Sequence, residues 1–143
     1  MPPGEPGGQE VLMAQKDVEV ILMRQLASYL ATPIFLVDPA GTLLFYNEPA
    51  EALLGRRYDE TGEMSMEEWS TAFTPTAEDG SPLAADALPL VIALQEHRAA
   101  HRVMWIRGLD GIRRRIGATA FPLEGQGGRH LGAVAIFWED AEP

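Results

Sequence analysis

IFLVDPAGTLLFYNEPAEALL, residues 34–54, divides by its turn chemistry into two strands, a tight connection and a helix. Ile34–Val37 and Thr42–Tyr46 are rich in β-branched, aromatic and aliphatic residues, a strand composition. Asp38-Pro39-Ala40-Gly41 between them is a turn, because proline presets φ and glycine accepts a positive φ. Asn47 offers a side-chain oxygen to the free N–H groups of a helix running to about Leu54, and Gly55 suits its C-terminal stop. Both strands of this hairpin are apolar on both faces.

Working outward, residues 1–9 form a leader rich in Pro and Gly, without the basic start and apolar run of a signal peptide. Residues 10–32 hold an N-terminal amphipathic helix that stops at Thr32-Pro33, where proline turns the chain out of helix. Val11, Ala14, Val18, Leu22, Leu26 and Tyr29 recur near the 3.6 spacing as one stripe. Val20, Ile21, Met23 and Leu30 make that stripe wider than a lone surface helix needs. The helix therefore packs on its own domain, pairs with a second subunit, or does both.

Downstream, Met64–Phe73 carries one short helix with Ser65 as cap and Glu68 at the capping-box position, so that Trp69 and Phe73 share a face. Glu78–Pro82 is a turn. A longer helix follows, with Asp86 expected as its cap, Pro89 in its first turn and its end near Arg98. Three strands complete the chain, at about His101–Arg107, Ile112–Pro122 and His130–Glu139, with Leu109-Asp110-Gly111 as a hairpin turn. A half-solvated sheet alternates apolar with polar residues, and these strands do not. Both sheet faces need covers in an α+β fold: the helices between Asn47 and Arg98 for one, and the N-terminal helix or a partner subunit for the other.

A chain of 143 residues suits one domain with a full core, and 46% hydrophobic against 22% charged residues is a globular composition. The net charge of −10 argues against a nucleic-acid partner. No run is long enough to span a membrane, so the expectation is a cytoplasmic protein without a membrane partner. Cysteine is absent, which removes disulfides, thiolate metal sites and cysteine nucleophiles.

The ordered set Asp38, Gly41, Tyr46-Asn47, Ala50-Glu51 and Leu54-Gly55 resembles the opening of a PAS domain, the sensor module of many signalling proteins. Asp79–Leu83, Leu88-Pro89-Leu90 and Ala93-Leu94 resemble the approach to and body of that family's central helix. Gly108–Gly111, Ala118–Leu123 and Leu131–Trp138 resemble its last three strands, so the likeness covers about residues 26–140. The resemblance implies a PAS-like domain over residues 33–140: a five-stranded antiparallel sheet of order 2-1-5-4-3, helices on one face, and the N-terminal helix covering the other. It also implies a homodimer using Val11, Val18, Leu22, Leu26 and Tyr29, with the signalling partner or a fused output domain outside this chain.

Candidate chemistry is sparse. His97 and His101 stand four apart, but the helix ends between them and no third ligand sits nearby. In haem-binding PAS domains the iron ligand comes from the central helix, and His97 lies at the end of the matching helix here; a capping or surface histidine is the simpler reading. His130 lies in a Gly-rich turn as a surface residue. The cysteine-linked flavin and thioester-linked chromophore of light-sensing relatives are excluded, no motif argues for non-covalent flavin, and no cofactor is required. Arg113-Arg114-Arg115 alternates across a strand and forms salt bridges rather than one basic surface. No nucleophile elbow, phosphate loop or metal-protease helix is present, so no enzyme is expected. If a pocket lies between central helix and sheet, alternation nominates Ile116, Ala118 and Ala120 with Leu94, and Asn47 and Trp105 as polar handles. The competing roles are core packing for the apolar residues, a helix cap for Asn47 and outer-face packing for Trp105. The function expected is a sensory module that binds a small ligand or protein partner and relays it through a dimer. The alternative is a dimerisation domain without a ligand.

Overall fold

The computed structural model of the chain describes residues 18 and 21–140. The leader at 1–9 and the first part of the N-terminal helix, Val11 included, lie outside the described residues. Residues 21–29 are helical (α1). There follow β1 (Ile34–Val37), β2 (Leu43–Tyr46), α2 (Glu48–Leu54), α3 (Tyr58–Thr61) and α4 (Met66–Ala72). Then come α5 (Pro89–Glu96), β3 (Ala100–Arg107), β4 (Arg113–Glu124) and β5 (His130–Glu139). The strands form one antiparallel five-stranded sheet in the order β2-β1-β5-β4-β3, the order the resemblance implied.

The opening hairpin forms for the reasons its sequence gives. Asp38 Oδ1 accepts from the N–H groups of Ala40 and Thr42, both at 2.9 Å, and Gly41 takes φ +92°. The Asn47 side chain accepts from Ala50 N–H at 3.2 Å to cap α2, and Gly55 closes the helix in the left-handed region with φ +80°. α4 begins with the full capping box, Ser65 and Glu68 satisfying each other's backbone N–H groups.

Two clusters lie on opposite faces of the sheet. On the inner face Phe35, Val37, Ala133, Ala135 and Phe137 join residues from α2, α4 and α5. On the outer face Ile34, Leu36 and Val134 are covered by α1 through Ala27 and Met23. Most of a helix's stability in a protein comes from packing of its apolar face, and Ala27 and Met23 provide that contact for α1.

Three details differ from the sequence expectation. α3 was not foreseen; it has only four residues and no side-chain cap. Asp86 does not cap α5: it lies in a 3-10 turn, Ala85–Ala87, and the cap position is Leu88 with Pro89 as the first helical residue. α5 stops at Glu96, with His97 at φ +54°, two residues before the expected end.

The β3–β4 turn is locked to the end of α2. Leu109 N–H donates to Leu54 O at 2.8 Å, and Arg114 Nη1 donates to Leu53 O at 2.8 Å. Arg114 also donates to Asp110 at 3.0 Å and Arg115 pairs with Glu78 at 2.9 Å, so two of the three arginines are in salt bridges, while Arg113 lies over the Trp105 ring. The Arg114 hydrogen bond, helped by the Ile112 N–H, holds the Asp110 carboxyl below the usual carboxylate range. A depressed folded pKa contributes stability above the unfolded value and loses it as pH falls through the folded value. Asp110→Asn should therefore flatten the acid limb of a urea-unfolding stability curve measured against pH; an acid limb unchanged from wild type would rule the pair out as its source.

Candidate functional site

The inner face of the sheet and the helices over it leave a cavity of about 90 Å³. The sheet supplies Phe35, Met104, Ile106, Ile116, Ala118 and Phe137 to its wall. The helical side supplies Leu54, Trp69, Phe73, Leu88, Pro89 and Leu90, and Pro75 stands at the rim. No wall residue has an ionisable side chain. The one side-chain N–H donor, Trp69 Nε1, is spent on Gly41 O at 2.7 Å. The aromatic rings brace one another, Phe35 lying edge-on to Trp69 at 5.7 Å and stacked on Tyr46 at 5.9 Å.

Of the nominated pocket residues, Ile116 and Ala118 stand on this wall. Leu94 and Ala120 are buried in the same inner cluster but off the wall. Asn47 is fully buried elsewhere, and every hydrogen-bonding atom of its amide is used by the fold. Its Oδ1 accepts from Ile34 N–H at 3.0 Å and from Ala50 N–H; its Nδ2 donates to Ala27 O and Thr32 O, each at 2.9 Å. It is not a ligand handle: it knots the end of α1, the start of β1 and the start of α2. Trp105 faces outward, with the Arg113 guanidinium 4.0 Å above its ring, so its alternative role holds.

Sequence reasoning missed Met104 and Ile106. A turn centred on Asp110 places Met104 directly opposite Ile116 in the antiparallel register, and opposite residues share a face. That signal was present in the Leu109-Asp110-Gly111 turn.

His97 is exposed beyond the end of α5, with its ring 4.5 Å from that of His130 rather than at the cavity. His130 is half-buried, not a surface residue as expected from its turn. His101 is on β3, bonded to Thr119 at 3.0 Å and stacked on Trp138. The residues present do not fit haem, since no histidine reaches the wall, nor flavin, whose ring nitrogens and oxygens would meet no partner there. Among the described residues no group of three or more His, Asp or Glu is arranged to hold a metal ion.

The second feature is the free side of α1. Val18, Leu22, Leu26 and Tyr29 are 54, 58, 62 and 88% exposed, and Ile21 is 54% exposed beside them. Met23 and Ala27, on the other side of the helix, face the sheet. Among the described residues, no helix is long and apolar enough to cross a membrane.

No family model matches the sequence, and no curated protein matches it. Solved structures do match. The PAS domain of Bordetella pertussis BvgS is 18% identical over 87% of this chain and 88% of that one, with a TM-score of 0.64. The PAS domain of nitrogen regulation protein NR(II) from Vibrio parahaemolyticus is 16% identical over 83% of this chain and 98% of that one, with a TM-score of 0.58. A Rhodobacter sphaeroides LOV protein is 13% identical over 87% of this chain and 68% of that one, with a TM-score of 0.67. At these identities the likeness is one of fold.

Proposed function

We propose that this chain, which has the fold of the PAS domains, is a non-catalytic signalling module. It takes a small ligand or a partner contact at the inner sheet face and passes the change to α1, which pairs with the α1 of a second copy. The observation that carries this reading is the two-sided apolar character of α1. Met23 and Ala27 are committed to the sheet, while Val18, Leu22, Leu26 and Tyr29 remain exposed. An amphipathic helix docked on a domain normally turns a polar face outward. A second copy supplies the apolar cover that the solvent does not. The output lies on a partner or on a fused domain, and the acidic, cysteine-free chain suits the cytoplasm.

A second reading, a dimerisation domain without a ligand, is favoured by how little of the inner core is empty. Ala93 and Ala120 are fully buried beside a cavity of only about 90 Å³.

The native mass tests the dimer against the 15.6 kDa chain. The expected result is a dimer that Leu22→Glu and Leu26→Glu each weaken by at least tenfold in dissociation constant. Their urea-unfolding midpoints, taken where the chain is monomeric, should move little, because both side chains are already mostly in solvent. A monomeric wild type, or a dimer that ignores both substitutions, would remove α1 as the pairing element.

A further inference from the structure

We infer that the inner cavity is specific for a compact, uncharged, wholly apolar molecule, and that a ligand with even one hydrogen-bonding group is selected against. This rests on the inner face being the input site and names its ligand class. The volume, about 90 Å³, is a little over half that of an apolar cavity of about 150 Å³ that stays dry and binds benzene or xenon, which limits the guest to a compact molecule. Water itself is a poor occupant, because a buried water needs two to four polar partners and the single wall donor, Trp69 Nε1, is already bonded to Gly41 O. An apolar guest regains the dispersion contacts that an unfilled void forfeits, and loses no hydrogen bond on leaving water. A guest carrying one acceptor loses that bond to water and finds none inside.

The wall also has a yielding side. Thr74 joins Phe73 to Pro75, both of which border the cavity, and it holds φ +45°. A β-branched residue in that region is strained, and a residue ahead of proline is further biased toward extended backbone. Pro75, which follows it, is half-exposed at the rim. Across the cavity Met104 has the unbranched, flexible side chain that adjusts to guests of differing shape.

The test uses the intact chain with labelled Ile, Leu and Met methyl groups, titrated by NMR with xenon, benzene, and pyridine at a pH where pyridine is uncharged. The expected result is saturable shifts at Met104, Ile106 and Ile116 with xenon and benzene, and pyridine binding at least tenfold more weakly than benzene. Pyridine binding as tightly as benzene would overturn the proposal, as would no saturable response to either apolar probe. Ala118→Ile should fill the cavity and abolish the benzene response; should it fail to fold, Ala135→Val serves the same purpose. A filled variant that still binds benzene with wild-type affinity would place the site elsewhere. A chain that dimerises through α1 but takes neither apolar probe refutes the ligand class and leaves the dimer reading standing. A monomer that binds benzene does the reverse.

Discussion

Gly132→Ala is expected to cost on the order of 4 kcal/mol or more, enough to unfold a large share of a domain whose total stability is about 5–15 kcal/mol. Gly132 lies in β5 opposite Leu123, one residue before the pairing with β1 begins, and holds φ +125°, a region that L side chains avoid. A Cβ there would collide with the Val37 carbonyl oxygen and stand 3.0 Å from Asp38 Cα. Both are backbone atoms, one of the last residue of β1 and one of the residue after it, where Val37 pairs with Ala133 of β5, so neither can step aside without opening the centre of the sheet. Gly117→Ala is the control. Its Cβ would meet the Trp138 ring at 2.6 Å, but that ring ends a partly exposed side chain that can rotate away. Its cost should be nearer about 1 kcal/mol. Urea unfolding with an unchanged slope would measure both. Equal midpoints for the two variants would refute the close β1–β5 approach.

Asn47→Ala ranks next, with an expected loss of about 3–4 kcal/mol. It strips a cap from α2, leaves Ile34 N–H and the Thr32 carbonyl without the bond Asn47 gave them, and takes one of two donors from the Ala27 carbonyl, which keeps Leu30 N–H. Asn47→Asp is the sharper test, because it preserves size and both accepted bonds. Its second oxygen faces the Ala27 and Thr32 carbonyls, so the folded state must retain a proton there and the folded pKa rises above the unfolded one. A raised folded pKa gives stability that is present below the unfolded pKa and lost as pH rises through the folded value. The aspartate variant should therefore approach wild-type stability only in acid and weaken toward neutrality. Hydrogen exchange at the α1 amides should quicken in step. A variant stability that does not change with pH relative to wild type would show that the amide makes no such bonds.

Much of the fold was legible because the local signals agreed with one another. Asp38 and Gly41 define one turn, Ser65 and Glu68 one helix start, and apolar runs on both strand faces demanded two covers. The failures were of a different kind. α3 is a single turn whose cap position, Arg57, makes no capping hydrogen bond, so nothing in its composition announces it. The start of α5 was misread because Asp86 looked like a cap, although Pro89 already marked the first helical residue and so placed the cap at Leu88.

The site was legible by face and not by depth. Alternation puts Ile116, Ala118 and Ala120 on one side of β4, but only packing decides which of them meets a void. Ile116, opposite Met104, meets it, whereas Ala120, fully buried opposite Ala135, does not. Asn47 was rightly read as a cap, yet its bonds to Ala27 and Thr32 span 20 and 15 residues of chain, a reach that no local pattern reveals.

The alternation along β1 has one more consequence. Phe35 borders the cavity, and its neighbours Ile34 and Leu36 carry α1 on the far side; in β5, Ala135 and Val134 stand in the same relation. The sheet is thus a wall one peptide thick, with the cavity on one side and α1 resting on the other. Protein interiors are packed as densely as organic crystals, so there is no compliant layer in which a push on Phe35 could be absorbed. In the signalling role proposed above, a displacement of that ring would have a single peptide unit to cross before it met the seat of the helix.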